Sequence, residues 1–140
     1  KMPPKTRIHA ATSLCPCGSQ KTYGECCRPF IDGQRAPDSA EQLMRSRYSA
    51  HVVLAIDYLW NTWSPEQRLR SSPNDIQAWA ESCEWMGLQI LSTEKGSAED
   101  DTGIVEFIAV FRSQGQLQQH HERSLFRKVL GKWLYVDHQA

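Results

Sequence analysis

The chain has 140 residues, 40% of them apolar, and its 16 basic side chains balance 16 acidic ones. That length suffices for one core without covalent staples, and the balanced charge excludes a general attraction to nucleic acid or anionic lipid. Even the longest apolar runs, such as Phe107 to Phe111, are far too short to span a bilayer, and no charged-then-apolar segment opens the chain, so a cytoplasmic location is expected.

In chain order, residues 1–13 show two prolines, scattered charge and no periodicity, which reads as a mobile leader. Four of the five cysteines follow between Cys15 and Cys27, then a turn-rich connector from Pro29 to Asp38. Residues 14–37 therefore form a cysteine knuckle with its connector, and residues 38–140 a second unit with regular patterning. Ser39 with Gln42 three residues on opens a helix in capping-box fashion. Met44, Tyr48, Val52, Ala55, Leu59 and Trp63 then recur at helical spacing. The stretch is long for one helix, so a break is expected at Val52-Val53, with Pro65 closing the region. A third helix starts at Ser72-Pro73, its apolar stripe formed by Ile76, Trp79, Ala80 and Cys83. Cys83 on that stripe reads as a core residue.

The remainder reads as strands: Trp85–Thr93, Ile104–Phe111, Gln116–Leu130 and Trp133–Asp137, with turns at Gly96–Gly103, Ser113-Gln114-Gly115 and Gly131-Lys132. Three helices followed by a four-stranded antiparallel meander give an α+β fold.

The cysteines follow the pattern C-x-C-x8-C-C, namely Cys15, Cys17, Cys26 and Cys27. Four thiolates suit a structural zinc ion in tetrahedral coordination, with no position left open for chemistry. Pro16 and Gly18 shape the turn, and Lys21 and Arg28 are placed to offset the net negative charge of such a site. The alternative is a pair of disulfides, which a reducing compartment disfavours.

The segment from Cys15 to Cys27, reading CPCGSQKTYGECC, resembles the SEC-C motif, the zinc-binding module at the tail of the SecA protein-export motor. Gln20 stands where that motif usually has glycine. In the export motor the module contacts a chaperone and the ribosome, so the resemblance implies a protein partner rather than a reaction. Leu43 to Ala50, Tyr58-Leu59 with Thr62-Trp63, Glu122-Arg123-Ser124 with Phe126, and Trp133 to Asp137 resemble the bacterial YchJ family. Membership implies a SEC-C module joined to a domain similar to nuclear transport factor 2, a cone made by a curved sheet wrapped around helices. Many of its members carry a second SEC-C motif at the C-terminus. Cones of this kind also pair through their sheets, so a homodimer is among the expected states.

No catalytic constellation stands out. His120 and His121 are neighbours on a strand and point to opposite faces, so they cannot chelate one ion together. With Gln114-Gly115 as a two-residue turn, the register sets Glu106 opposite Arg123, which reads as a structural ion pair in preference to a catalytic carboxylate. Arg45, Tyr48, His121 and Glu122 remain the candidates for a pocket, either His121 with Arg123 or Glu122 with Arg45 or Tyr48. Trp60, Trp63, Trp79, Trp85 and Trp133 read as core, with some free to wall a pocket. Arg45, Arg47, Arg68 and Arg70 read as a solvated face rather than a nucleic-acid site. The expected function is binding: a protein partner through an exposed patch at Tyr23, Arg28 and Phe30, or a small ligand in the cone. An enzyme using the cone pocket is the alternative, and an RNA- or ribosome-associated binder the third reading.

Overall fold

The computed structural model describes residues 7–139. The first six residues of the predicted leader and Ala140 lie outside it. Residues 7–13 run beside the knuckle: the Arg7 N–H donates to the Val53 carbonyl at 3.0 Å, and the N–H groups of Tyr23 and Gly24 donate to Ser13 and Ala11 at 2.8 and 2.9 Å.

A 3-10 turn at Tyr23–Glu25 and a short helix α1, Arg28–Ile31, close the cysteine segment. The long helix α2 spans Ala40–Val53. Its cap is as predicted: Ser39 Oγ accepts from the Gln42 N–H at 3.1 Å, and Gln42 Oε1 accepts from the Asp38 N–H at 2.7 Å. The break comes just after Val52-Val53, where Leu54 adopts a left-handed backbone with φ 61°. That conformation costs a leucine about 1–2 kcal/mol, offset by burial of its side chain among Ala50, Ile56 and Leu59. Helix α3, Ile56–Asn61, follows at once.

Two helical expectations need correction. Pro65 does not close the region but opens another short helix, α4, Pro65–Arg68, whose cap Ser64 accepts from the Gln67 N–H at 3.3 Å. A proline at the first helical position gives up an N–H that had no partner in any case. Helix α5, Pro73–Ser82, is capped by Ser72 as expected, but it ends before Cys83. Cys83 is buried as predicted, at the junction into the sheet rather than on the helix stripe. The helical part thus has four helices after residue 39, not three.

The sheet runs β1 Glu84–Lys95, β2 Thr102–Ser113, β3 Gln116–Val129 and β4 Lys132–His138, antiparallel in the order β1-β2-β3-β4. Gln114 and Gly115 both have positive φ and form the predicted two-residue turn, so Ser113 pairs with Gln116 and Glu106 with Arg123. The β3–β4 turn lies one residue earlier than read from sequence: Leu130-Gly131 make the loop and Val129 pairs with Lys132. Register shifts at Trp85/Gly87 and Ile90/Ser92 bend β1, and such bulges curl a sheet. On β2, Val105, Phe107, Ala109 and Phe111 alternate inward, while Ile104, Ile108 and Val110 stay half-exposed.

The core forms where Leu43, Met44 and Tyr48 of α2 meet Val105, Phe107, Phe126 and Trp133 of the sheet. The tip of the β1–β2 hairpin touches the start of α2, with the Ala40 N–H donating to the Gly96 carbonyl at 2.9 Å. Among the described residues no helix is long and apolar enough to cross a membrane.

Candidate functional site

The sulfurs of Cys15, Cys17, Cys26 and Cys27 all lie within 4.8 Å of one another. Cys17 and Cys26 are 3.6 Å apart, and Cys26 and Cys27 3.9 Å. A tetrahedral ion with metal–sulfur bonds of about 2.3 Å separates its sulfurs by roughly 3.8 Å, whereas a disulfide needs about 2.05 Å. All four are free cysteines whose sulfurs lie close enough together to hold one metal ion.

The turn between the cysteine pairs depends on two left-handed residues, Gly18 at φ 80° and Gln20 at φ 70°. A Cβ on Gly18 would stand 3.0 Å from the Leu88 carbonyl oxygen. Gln20, which replaces the motif's usual glycine, nonetheless takes the glycine conformation.

The groups that hold the sulfurs are not those expected. Lys21 is exposed, and Arg28 pairs with Asp32 at 3.2 Å. Arg45, read from sequence as a pocket candidate, instead reaches the knuckle: its Nη1 donates to the Cys17 carbonyl at 2.8 Å and lies 3.9 Å from the Cys17 sulfur. Ser49 Oγ sits 3.5 Å from the Cys15 sulfur, and Ser19 Oγ 3.1 Å from that of Cys26. Hydrogen bonds from Cys15 and Cys27 hold the Cys17 thiol below its ordinary range, and burial pushes Cys26 up to about 11. Tyr23 and Phe30 are buried, so the aromatic patch expected there is not exposed; only Arg28 is.

The opposite side of α2 borders a cavity of about 310 Å³ between the helices and the inner face of the sheet. Trp63, Trp79, Trp85, Phe107 and Phe111 give its wall a strongly aromatic character. Trp79 and Trp85 meet edge to face, with ring centres 6.1 Å apart, and Trp79 packs the same way on Phe111 at 5.5 Å. Three of the five tryptophans thus wall a pocket, and Trp79 is 47% exposed rather than core.

One polar cluster interrupts this wall. His120 Nε2 is 2.7 Å from Glu122 Oε1. Glu122 Oε2 accepts from the Tyr135 hydroxyl at 3.0 Å and also from the Ser124 hydroxyl. Burial alone would raise the Glu122 carboxyl, but the bonds from His120, Ser124 and Tyr135 outweigh it and hold the group below its usual range. The same contact raises His120.

Arg47 is the second polar feature, only 6% exposed. Its Nη1 donates to the Leu59 carbonyl at 2.9 Å and to Thr62 Oγ1 at 2.5 Å, at the C-terminal end of α3. The guanidinium lies 5.1 Å from the Tyr135 ring centre and 5.9 Å from that of Trp63. Burial pushes its pKa down to about 10. Backbone bonds from Ser64 to Tyr135 and from Tyr135 to Thr62, both 2.8 Å, lock β4 onto this corner.

Residues 39–138 match the family described as "YchJ, middle NTF2-like domain", and residues 12–29 match the SEC-C motif. The chain belongs to the YchJ family. Its curated relatives carry the family label UPF0225. A UPF0225 protein of Geobacter sulfurreducens is 46% identical over 90% of this chain and 78% of its own length. One of Haemophilus influenzae is 42% identical over 94% and 82%. A solution structure of a SEC-C motif containing protein from Rhodopseudomonas palustris matches with a TM-score of 0.82 at 41% identity, covering 90% of this chain and 97% of that one. A crystal structure of a SEC-C motif containing protein from Psychrobacter arcticus gives 0.78 at 31% identity, covering 91% and 82%.

Against this YchJ-type cone, the pocket candidates sort unevenly. Tyr48 and Glu122 do line the cavity. His121 does not: it faces outward and binds Glu106 Oε2 at 2.7 Å, beside the Arg123–Glu106 contact at 3.0 Å. Glu106 is thus held in the structural pair expected of it. Sequence reasoning missed His120 and Arg47. His120 shares the strand face of Glu122, two residues on, which is the signal that was available. Arg47 was assigned to a solvated arginine face, and no such face exists. Arg45 holds the knuckle, Arg68 binds the Trp60 and Asn61 carbonyls, and Arg70 pairs with Asp137.

Proposed function

We propose that this YchJ-family chain is a small-molecule-binding protein whose cysteine knuckle holds a structural zinc ion. The observation that carries the binding reading is the cavity: an aromatic-walled space of about 310 Å³ with buried polar side chains converging on it. Small-ligand sites span roughly 300–1,000 Å³ and combine apolar walls with a few placed polar groups, so this space suits a compact ligand. Zinc is supported by the all-thiol donor set, since four thiolates fill the tetrahedral coordination of a structural zinc and leave no open position. Four free thiols also suit the reducing cytoplasm.

A protein partner at the knuckle is less well supported, because Tyr23 and Phe30 point inward. A second reading, proton-transfer catalysis in the cavity, is favoured by the His120–Glu122 contact. The Glu122 contact raises His120 above its ordinary value, and a histidine paired with a carboxylate can act as acid or base.

The test is a fragment screen read by the indole signals of Trp63, Trp79 and Trp85 in protein-observed NMR. Ala109 is buried and lines the cavity, so Ala109→Leu should fill part of it and abolish the shifts. A screen in which no fragment moves these signals overturns the binding reading. Metal content by mass spectrometry tests the zinc assignment, with one ion per chain expected.

A further inference from the structure

We infer that the cavity takes a small monocarboxylate with a flat apolar body, its carboxylate seated side-on against Arg47; this rests on the binding reading above. Arg47 lines the cavity and is almost fully buried, yet among the described residues it takes part in no salt bridge. Its Nη1 is engaged by the Leu59 carbonyl and Thr62 Oγ1. Its Nε and Nη2 have no hydrogen-bond acceptor among the described residues. These two nitrogens form the edge of the guanidinium that pairs with a carboxylate through two parallel hydrogen bonds.

The carboxylate closest in kind, Glu122, does not serve as that partner. It is taken up by His120, Ser124 and Tyr135, and the Tyr135 ring that carries one of those donors stacks on Arg47. The Glu122 charge reaches this cation only through space, and Nε and Nη2 are not sealed from solvent; an anion entering the cavity pairs with that edge directly.

Capping α3 does not account for Arg47 in full. The cap uses one nitrogen, and a lysine could supply that contact. The planar fork with its free edge is a feature that only a planar acceptor exploits.

Charge and shape narrow the class. Glu122 is held in its ionised form by its three donors, so a dianion would meet repulsion that a monoanion escapes in part. The rings of Trp79, Trp85, Phe107 and Phe111 offer apolar surface for a flat body.

Four probes with the same ring separate the possibilities: benzoate, benzamide, benzylamine and phenyl phosphate. Each is titrated into the metal-loaded full chain while tryptophan fluorescence and the Arg47 Nε–H signal are followed. Benzoate should bind at least about tenfold tighter than benzamide, the discrimination expected of a charge-assisted pair, and should shift the Arg47 signal. Arg47→Lys, which keeps the charge but loses the side-on edge, should remove that preference. Should Arg47→Lys fail to fold, the four-probe ranking and the Nε–H shift on the unaltered protein decide the matter alone. Benzamide or benzylamine binding as tightly as benzoate overturns the carboxylate assignment and leaves the pocket reading standing. Phenyl phosphate binding more tightly than benzoate overturns the monoanion assignment. No binding by any probe up to millimolar concentration overturns both.

Discussion

Arg45 donates from Nη1 to the carbonyl oxygen of Cys17 at 2.8 Å, joining the middle of α2 to the first half of the knuckle across 28 residues of chain. The same side chain is anchored to Glu41 at 2.9 Å. Ser49, one turn further along α2, meets Cys15. Residues Met44, Arg47, Tyr48 and His51 of that helix face the cavity instead. One helix is therefore the common wall of the cysteine knuckle and the pocket.

The first prediction concerns that contact. Arg45→Ala removes a donor that orients a ligating residue and places a positive charge near the thiolates. Such outer contacts typically alter metal affinity about 10–100-fold. Competition with a chromophoric chelator should show at least a tenfold loss for Arg45→Ala and a smaller loss for Arg45→Lys. Equal metal retention in all three proteins would mean that Arg45 only packs.

Metal removal should divide the thiols into two classes. Cys15, Cys17, Cys26 and Cys27 become reactive after chelation, while Cys83, buried and with its thiol raised by that burial, stays slow. A thiol titration should then give four fast sites and one slow site. Five fast sites would show that the knuckle and the core open together.

A third prediction tests the hairpin tip that seats the start of α2. A Cβ on Gly103 would lie 2.5 Å from the Gly96 Cα and 2.9 Å from its nitrogen, backbone atoms that cannot turn aside. Gly103→Ala should destabilise the protein by about 2 kcal/mol or more, as overpacking does. Gly87, with nothing within 4 Å of its virtual Cβ and no positive φ, is the control; Gly87→Ala should change stability by less than about 0.5 kcal/mol. Urea unfolding measures both.

The fourth is a pH dependence. Burial, reinforced by the Arg47 charge, lowers His51 from 6.5 to about 4. Because the folded value lies below the unfolded one, the stability linked to His51 is complete above about pH 6.5 and drains away as the pH falls towards 4. The loss between about pH 7 and about pH 4.5 should be on the order of 2–3 kcal/mol. His120 has the opposite sign, its contribution being present below about 6.5 and lost as the pH rises. His51→Gln should flatten the acid limb of the stability profile. An unchanged acid limb in that variant would remove His51 as its source.

Much of the fold was legible because local chemistry dictated it. The caps at Ser39 and Ser72, the Gln114-Gly115 turn and the alternation on β2 each depend on residues within a few positions of one another. The turn then set the Glu106–Arg123 register seventeen residues apart, since pairing propagates without error from a two-residue loop. Readings failed where a neighbour distant in sequence overrode the local signal. Arg45, read as a pocket residue, is drawn to the Cys17 carbonyl 28 residues away; Pro65 is the exception, since Ser64 and Gln67 beside it carry a local start signal like that of Ser72-Pro73.

The sequence by itself determined that four cysteines would gather in one knuckle, that helices would precede a meander, and that His120 and His121 would part to opposite faces. These follow from spacing and from the period of a strand, which need no partner elsewhere in the chain. Only the tertiary structure decided which arginine guards the thiols and which lies buried beside the cavity. Arg45 and Arg47 are two residues apart on α2, and a helix turns neighbours at that spacing to different sides. What each side meets, the knuckle for one and the corner of Leu59, Thr62 and Tyr135 for the other, depends on how the helix docks on the sheet.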